Sequence, residues 1–164
     1  MEIKAYSAYG EYDGCSSRAT EGYVKINGVA VWRSSWCGRY SNYRGINLFL
    51  IDPFGCYVQR RRRFDTHIST TASTQLTNYV QLVNHGSIIV GVSADEATWH
   101  WDNALPGLKQ IGADVSDVQH RGSFAFVARK NFPMNTVVRK VLTESQSYAN
   151  PARLNARITG IELL

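Results

Sequence analysis

Alternating apolar and polar residues near the N-terminus predict a β-hairpin. Residues 23–26 (YVKI) and 29–32 (VAVW) are rich in β-branched and aromatic side chains, and they flank Asn27-Gly28. An Asn-Gly pair between two such runs is the strongest short-range signal for a two-residue hairpin turn. We therefore expect two antiparallel strands here.

The rest of the chain alternates between strand-like and helix-like patterns. Residues 73–84 place Leu76, Tyr79, Val80 and Val83 on one helix face, and Gly86 follows as a stop signal. A second helix is expected to follow the loop 93–97 and to run through Leu108, with its last turns disturbed by a Pro-Gly pair at 106–107. Further strands are expected at residues 46–51, 56–64, 87–92, 122–128 and 154–163, with a loop at 34–43 and a turn at 53–55.

These elements predict one α/β domain over residues 1–164, built from mixed β-sheets in a two-layer, sandwich-like arrangement with two flanking helices. The run at 87–92 is apolar throughout and bounded by glycines, which is typical of a central strand with both faces covered. The length of 164 residues is sufficient for one substantial core.

Composition and charge narrow the class of protein without deciding its function. Hydrophobic residues make up 44% and charged residues 19%, which excludes a disordered or fibrous chain. The sequence has no apolar run long enough for membrane insertion, and its first residues lack the apolar stretch of a signal peptide. The net charge of +5 suits polyanions, but arginines and aromatics also suit sugars.

Three cysteines, Cys15, Cys37 and Cys56, leave several pairings open. They contain no C-x-x-C pair, so the usual zinc and redox spacings are missing. In an oxidising compartment two of them can pair and the third can join another chain, which would make a disulfide-linked homodimer. The alternative is three buried, reduced thiols.

Asp95 and Glu96 follow the expected central strand, a position where open α/β sheets commonly bind ligands. The alternative role for Asp95 is an N-cap of the following helix, because Asp is among the preferred capping residues.

Two tryptophans stand beside polar side chains in Trp99, His100, Trp101, Asp102 and Asn103. An indole can cover the apolar face of a hexose while carboxylate and amide groups bind its hydroxyls. At helical spacing Trp99 and Trp101 would point to different sides, so at least one of them is expected in the core.

Four consecutive arginines, Arg60 to Arg63, form the most conspicuous charge run. They could hold phosphate or a sulfated glycan, but on a strand Arg60 and Arg62 would face away from Arg61 and Arg63. The alternative is a charged sheet rim that keeps the protein soluble. No aromatics are interleaved as an RNA groove would require, so we expect no nucleic-acid partner.

Motifs of enzymes are missing from the sequence. It contains no G-x-S-x-G, no H-E-x-x-H and no glycine-rich phosphate loop, and its histidines are scattered. Asp52, Asp65 and Asp95 could still meet in space as a carboxylate pair for glycoside hydrolysis. We expect a protein that is not an enzyme and keep the hydrolase as an alternative.

Six short segments in one order resemble the ILEI/PANDER-like domain over residues 2–132. They are RGIN at 44–47, FDT at 64–66, GSIIV at 86–90, DEA at 95–97, IGA at 111–113 and GSFAFV at 122–127. The resemblance implies a compact fold of β-sheets with flanking helices, found in secreted cytokine-like and cell-surface proteins. It also implies a sugar-binding site that corresponds to Arg44, Asp95 and Arg121 here, although the surrounding QHRGS at 119–123 departs from the family pattern.

The chain is therefore expected to be a secreted lectin for galactose-type glycans of glycoproteins or glycolipids, similar to stand-alone cnidarian lectins that carry such a domain. Arg44, Asp95 and Arg121 would bind hydroxyls, and Trp99 or Trp101 would stack on the sugar. Calcium is a candidate cofactor, with Asp95, Glu96, Asp102 and Asn103 as candidate ligands. The alternative is a secreted signalling or protein-interaction module of the same fold.

Overall fold

Two antiparallel β-sheets and two helices make up the fold in the computed structural model, which describes residues 1–7, 22–34, 43–131, 138–142 and 152–158. The strands are β1 (Glu2–Tyr6), β2 (Tyr23–Ile26), β3 (Val29–Arg33), β4 (Gly45–Ile51), β5 (Val58–Phe64), β6 (Ile88–Ala94), β7 (Ser123–Arg129), β8 (Val138–Leu142) and β9 (Arg153–Arg157). The helices are α1 (Thr70–Leu82) and α2 (Leu105–Gln110).

The strand order is β3-β2-β1-β9 in the four-stranded sheet and β5-β4-β6-β7-β8 in the five-stranded sheet. This confirms the predicted two-layer, sandwich-like fold with two helices. All pairs of adjacent strands in the two sheets are antiparallel. The sequence had predicted mixed β-sheets without the direction of each pair. The run predicted as a central strand is β6, which lies in the middle of the five-stranded sheet.

The predicted hairpin is confirmed. Asn27 and Gly28 take positive φ angles of 49° and 83° between β2 and β3, as a two-residue turn of the primed type requires. Their conformation allows Ile26 to pair with Val29.

Two hydrophobic cores lie on opposite faces of the five-stranded sheet. Along β4, Ile46 and Leu48 pack with the helices, whereas Phe49 and Ile51 pack against the four-stranded sheet. Because both faces of β4 and β6 are covered, these strands are apolar along most of their length instead of alternating.

Side-chain hydrogen bonds cap both ends of helix α1. The Ser69 hydroxyl accepts from the backbone N–H of Thr71, so the helix begins at Thr70, three residues before the predicted start. At its C-terminus the buried Lys130 donates from Nζ to the carbonyl oxygens of Val80, Gln81 and Val83 at 2.9, 2.6 and 2.5 Å. An ammonium at this position satisfies carbonyls that have no helical partner and complements the helix dipole.

The second helix differs from the prediction. It begins only at Leu105, so that Pro106 lies in its first turn, where the missing N–H costs no hydrogen bond. The segment between β6 and α2 is irregular and is tied to the rest of the protein by side chains: the Thr66, Ser73 and Thr77 hydroxyls donate to the carbonyls of Ala97, His100 and Asn103.

Other sequence predictions fall partly outside the described residues. Cys15 and Cys37 lie there, as does most of the predicted loop at 34–43, while Cys56 is a half-buried free thiol. Strand β8 was not predicted, and the described part of the predicted strand at 154–163 is β9, which ends at Arg157. Neither described helix has the length and apolar character needed to cross a bilayer.

Candidate functional site

The ends of three neighbouring strands, β4, β6 and β7, lie together at one edge of the five-stranded sheet, where the loops between strands begin and end. Gly45 at the start of β4 pairs with Ala94 at the end of β6, and Val92 pairs with Ala125 near the start of β7. Antiparallel pairing therefore brings the residues before β4, after β6 and before β7 to the same edge. Arg44, Asp95 and Arg121, which the family resemblance selected, occupy these three positions.

Arg44 is held by a bidentate ion pair with Asp65. Its Nε and Nη2 atoms donate to Oδ1 and Oδ2 at 3.2 and 3.3 Å, and Arg63 reaches the same carboxylate at 3.6 Å. The backbone approaches closely here, because a Cβ atom at Gly45 would lie 2.2 Å from the Phe64 carbonyl oxygen. Gly45 also has a φ angle of +95°, so both its conformation and its surroundings require glycine. We call Arg44, Asp65, Asp95 and Arg121 the edge cluster.

Asp95 and Arg121 form the second ion pair of the edge cluster. One terminal nitrogen of Arg121 lies 3.9 Å from Asp95 Oδ1, longer than a hydrogen bond. Both residues have left-handed backbones, with φ angles of 56° and 57°. Asp tolerates this conformation, whereas Arg adopts it at a cost in energy. Backbone strain of this kind is concentrated at functional sites.

Glu96 connects the two loops that carry Asp95 and Arg121. Its buried carboxylate accepts from the Thr98 N–H and hydroxyl through Oε1, at 2.5 and 2.6 Å. Oε2 accepts from the Arg121 N–H at 2.9 Å and lies 3.2 Å from His120 Nδ1. Glu96 thus fixes the position of the Arg121 backbone relative to the 95–98 loop.

Burial changes the ionisation of Asp95. Desolvation raises the pKa of its carboxyl from 3.8 to about 6, although the nearby Arg121 and Arg44 guanidiniums lower it. The negative charges of Glu96 and Asp65 raise the pKa further. Desolvation and Arg44 lower the pKa of the neighbouring His67 imidazole, whose Nδ1 is buried without a hydrogen-bond partner in the described structure.

Trp99 and Trp101 occupy opposite environments, as their spacing suggested. Trp99 is 61% exposed and lies among three imidazoles, with ring centroids 5.3 Å from His120, 6.2 Å from His67 and 6.3 Å from His100. Trp101 is 7% exposed and packs against Phe124 in the core beneath the helices. Of these two tryptophans, Trp99 is therefore the one that presents an accessible ring beside the edge cluster.

The four candidate calcium ligands have separate contacts in the structure. Both oxygens of Glu96 accept hydrogen bonds from Thr98 and the 120–121 turn, and the Asn103 side-chain nitrogen donates to Thr74 of α1. Within the described residues, no group of three or more His, Cys, Asp or Glu side chains is arranged to hold a metal ion. Calcium binding by Asp95, Glu96, Asp102 and Asn103 stays a prediction.

Of the three carboxylates considered for hydrolysis, Asp65 and Asp95 lie in the edge cluster and Asp52 is separated from them. Asp52 follows the last residue of β4 and binds the N–H groups of Phe54 and Gly55 in the adjacent turn. Asp95 lies at the other end of this seven-residue strand, about 20 Å away at the usual rise per residue. The alternative role of Asp95 as a helix N-cap is wrong, because α2 begins at Leu105 and its N-cap is Ala104.

Sequence reasoning missed three contributors to the site. Asp65 was read as part of a family segment and as a candidate carboxylate for hydrolysis, and not as the partner of Arg44. The contacts of His67 and His120 were not anticipated. Only the FDT segment carried a signal for any of them, because the histidines contact Trp99 and Glu96 across long separations in the chain.

Comparison with known proteins places this site within a recognised family. The family model described as "Interleukin-like EMT inducer" matches residues 44–132, more than half of the chain. The match begins at Arg44 and includes every residue of the edge cluster. A search of curated proteins gave no match.

Proposed function

Because the chain belongs to the interleukin-like EMT inducer family, we propose that it is a non-enzymatic binding module that holds a galactose-type glycan at the edge cluster. The glycan would be part of a glycoprotein or glycolipid, and binding would be reversible. The family match agrees with the resemblance found in the sequence, over a shorter span than the predicted residues 2–132.

The observation that carries the proposal is the loosely paired Asp95 carboxylate between two arginines. At 3.9 Å from Arg121, the carboxylate has room to accept hydrogen bonds from sugar hydroxyls. Arg44 uses Nε and Nη2 for Asp65, which leaves Nη1 to donate to a hydroxyl. Donors and acceptors fixed at one place are what recognition of a polyhydroxylated ligand requires.

Trp99 supports the proposal from the side of the cluster. Its indole is exposed, and the edge contact with His120 restricts its orientation. Since His120 also lies against Glu96, the ring is connected to the loops that carry Asp95 and Arg121. An exposed indole beside polar groups can cover the apolar C–H face of a hexose.

A glycan array and a galactose-agarose column test the proposal. Wild-type protein is expected to bind galactose-type glycans and to elute from the column with free galactose. Asp95→Asn is expected to lose this binding, and the exposed Asp117→Asn serves as a matched control that keeps it. Normal binding by folded Asp95→Asn would show that the site is assigned wrongly.

Complete absence of wild-type binding on both the array and the column would instead reject the lectin. That result would favour the signalling or protein-interaction module. Product release from a panel of chromogenic glycosides would reject non-enzymatic binding.

Secretion and a disulfide-linked homodimer belong to the same proposal. Cys56 lies in the turn after β4, half-buried and with a φ angle of 55°. Non-reducing electrophoresis of wild type and Cys56→Ser tests whether this thiol joins two chains. A dimer band that persists in the variant would assign the link to another cysteine.

A further inference from the structure

The arginine-rich strand β5 lies at an edge of the five-stranded sheet and takes no part in the proposed sugar site beyond Arg63. Register with β4 divides its arginines between two faces. Arg61 and Arg63 pair with Phe49 and Asn47, whereas Arg60 and Arg62 pair with Leu50 and Leu48. Since Leu48 and Leu50 pack with the helices, Arg60 and Arg62 lie on the α1 side of the sheet.

Two of the four arginines have their charge engaged by neighbours. The Arg61 guanidinium lies over the rings of Tyr43, Trp32 and Phe49 at 5.1, 5.7 and 5.9 Å. Arg63 reaches the Asp65 carboxylate. Cation–π contacts and an ion pair account for these two residues within the folded chain.

Arg60 and Arg62 differ from Arg61 and Arg63 in their surroundings. Both are exposed, and no carboxylate in the described part of the chain pairs with either. Alternate residues on a strand place the two side chains about 7 Å apart on the same face. Helix α1, which packs on this side of the sheet, also lacks negative charge, because the sequence has no Asp or Glu between residues 66 and 94.

Tyr79 of α1 lies on the same side of the sheet as Arg60 and Arg62. Its ring packs 5.8 Å from Phe64. Burial raises the pKa of its hydroxyl, and the positive charges of Arg60 and Arg62 lower it. That hydroxyl is buried and has no hydrogen-bond partner in the described structure. The seam between β5 and α1 therefore carries two uncompensated positive charges on a polar, uncharged surface.

We propose that this seam, through Arg60 and Arg62, binds a sulfated polysaccharide at a site separate from the edge cluster. A guanidinium binds a sulfate group through two parallel hydrogen bonds, and two guanidiniums in a row suit a linear polyanion. A single-stranded nucleic acid would require exposed aromatic rings for base stacking. Phe64 and Tyr79 on the α1 side pack against each other. The exposed Phe54 and Tyr57 lie in the turn before β5 and not along Arg60 and Arg62, which favours a sulfated glycan.

The alternative given in the sequence analysis, that the arginines are a charged sheet rim that keeps the protein soluble, makes a different prediction. Arginines that only keep an edge strand soluble and unpaired would act through net charge, so any two exposed arginines would contribute equally to polyanion binding. Arg153 and Arg157 on β9 provide the comparison. They are exposed and lie at an edge of the other sheet, with Arg153 over the Tyr6 ring at 5.2 Å. Replacing them removes the same net charge elsewhere.

Heparin binding at several salt concentrations tests the proposal. Arg60→Gln/Arg62→Gln is expected to bind heparin about tenfold more weakly than wild type, as two exposed charge-assisted contacts would contribute, and to show a shallower salt dependence. Arg153→Gln/Arg157→Gln is expected to change the affinity less than about twofold. Desulfated heparin and a duplex DNA of similar length are expected to bind wild type more weakly than heparin.

Several results would overturn the proposal. Equal losses in the two double variants, or no loss in either, would mean that only net charge matters. Binding of desulfated heparin or DNA as tightly as heparin would exclude a sulfated glycan as the preferred ligand. If the glutamine variant does not fold, Arg60→Lys/Arg62→Lys keeps the charge without the bidentate geometry, and an unchanged affinity would then reject the site.

The same assay separates this site from the proposed lectin function. Asp95→Asn is expected to bind heparin as wild type does, because Asp95 lies in the loop directly after β6 and not on the seam between β5 and α1. Failure of galactose binding therefore leaves the heparin result interpretable, and the reverse also holds.

Discussion

Asp95→Asn should stabilise the folded protein at neutral pH. The folded-state pKa of Asp95 is raised to about 6 from 3.8, so folding binds protons between these two pH values. Asp95 therefore contributes stability that is fully present below pH 3.8 and is lost as the pH rises through 6. The difference corresponds to about 3 kcal/mol in the free energy of unfolding.

Asparagine is the informative replacement because it keeps the shape of the side chain and tolerates the left-handed backbone. Alanine at a φ angle of 56° would add about 1 kcal/mol of backbone strain and obscure the effect of charge. Above pH 7 the free energy of unfolding of the variant is expected to exceed that of wild type by about 3 kcal/mol, the amount that corresponds to the pKa shift of Asp95. The difference should shrink between pH 6 and pH 4 and vanish below that range.

Urea denaturation from pH 4 to pH 8 measures this difference from the midpoint, provided that the slope m is unchanged. The exposed Asp117→Asn is measured in parallel as the matched control. A variant less stable than wild type at pH 8, or a difference independent of pH, would refute the assignment of a desolvated carboxylate. Stability gained together with lost glycan binding would indicate that Asp95 is kept for function at a cost to the fold.

Further predictions concern the supports of the site. Glu96→Ala should lower the free energy of unfolding by about 3 kcal/mol, because it leaves two backbone N–H groups without their acceptor; a loss below 1 kcal/mol in urea denaturation would contradict this role. Lys130→Met should lower the free energy of unfolding by about 2 kcal/mol and speed amide hydrogen exchange in the last turn of α1. Unchanged exchange would contradict the role of Lys130 as a C-terminal cap of this helix. Gly45→Ala should unfold the protein or shift β4 against β5, visible by circular dichroism, since its Cβ would lie 2.2 Å from a carbonyl oxygen. Glycan binding should persist in excess EDTA, because no described group of three or more His, Cys, Asp or Glu side chains is arranged to hold a metal ion; loss of binding would show that calcium is required.

Local patterns were sufficient for much of the fold. The Asn-Gly turn follows from the conformations open to these two residues, and the apolar runs that became β4 and β6 reflect burial on both faces. Such features depend on near neighbours in the chain, so periodicity and turn chemistry identify them.

The second helix was placed incorrectly because distant contacts decide its start. Hydroxyls from Thr66, Ser73 and Thr77 bind the carbonyls of the segment before α2, which holds that segment out of a helix. Each of these bonds joins residues more than 25 positions apart. A helical pattern in the sequence contains no information about them.

The grouping of Arg44, Asp95 and Arg121 was predicted from the sequence, whereas the contacts of Glu96 were not. The resemblance selected Arg44, Asp95 and Arg121, and antiparallel pairing brings their strands together. Glu96 was read as a metal ligand, but its carboxylate binds backbone N–H groups on both loops. That role depends on Arg121, 25 residues away, and on a burial that composition does not reveal.

The way in which Glu96 holds the site has a consequence for how such proteins can diversify. Its carboxylate binds the N–H groups of Thr98 and Arg121, and every residue except proline supplies such a group. Exchange of the side chains that face the ligand would therefore leave this attachment intact. Descendants of one ancestral scaffold could acquire new ligand preferences by substitutions in these loops while the sheet beneath them stays the same.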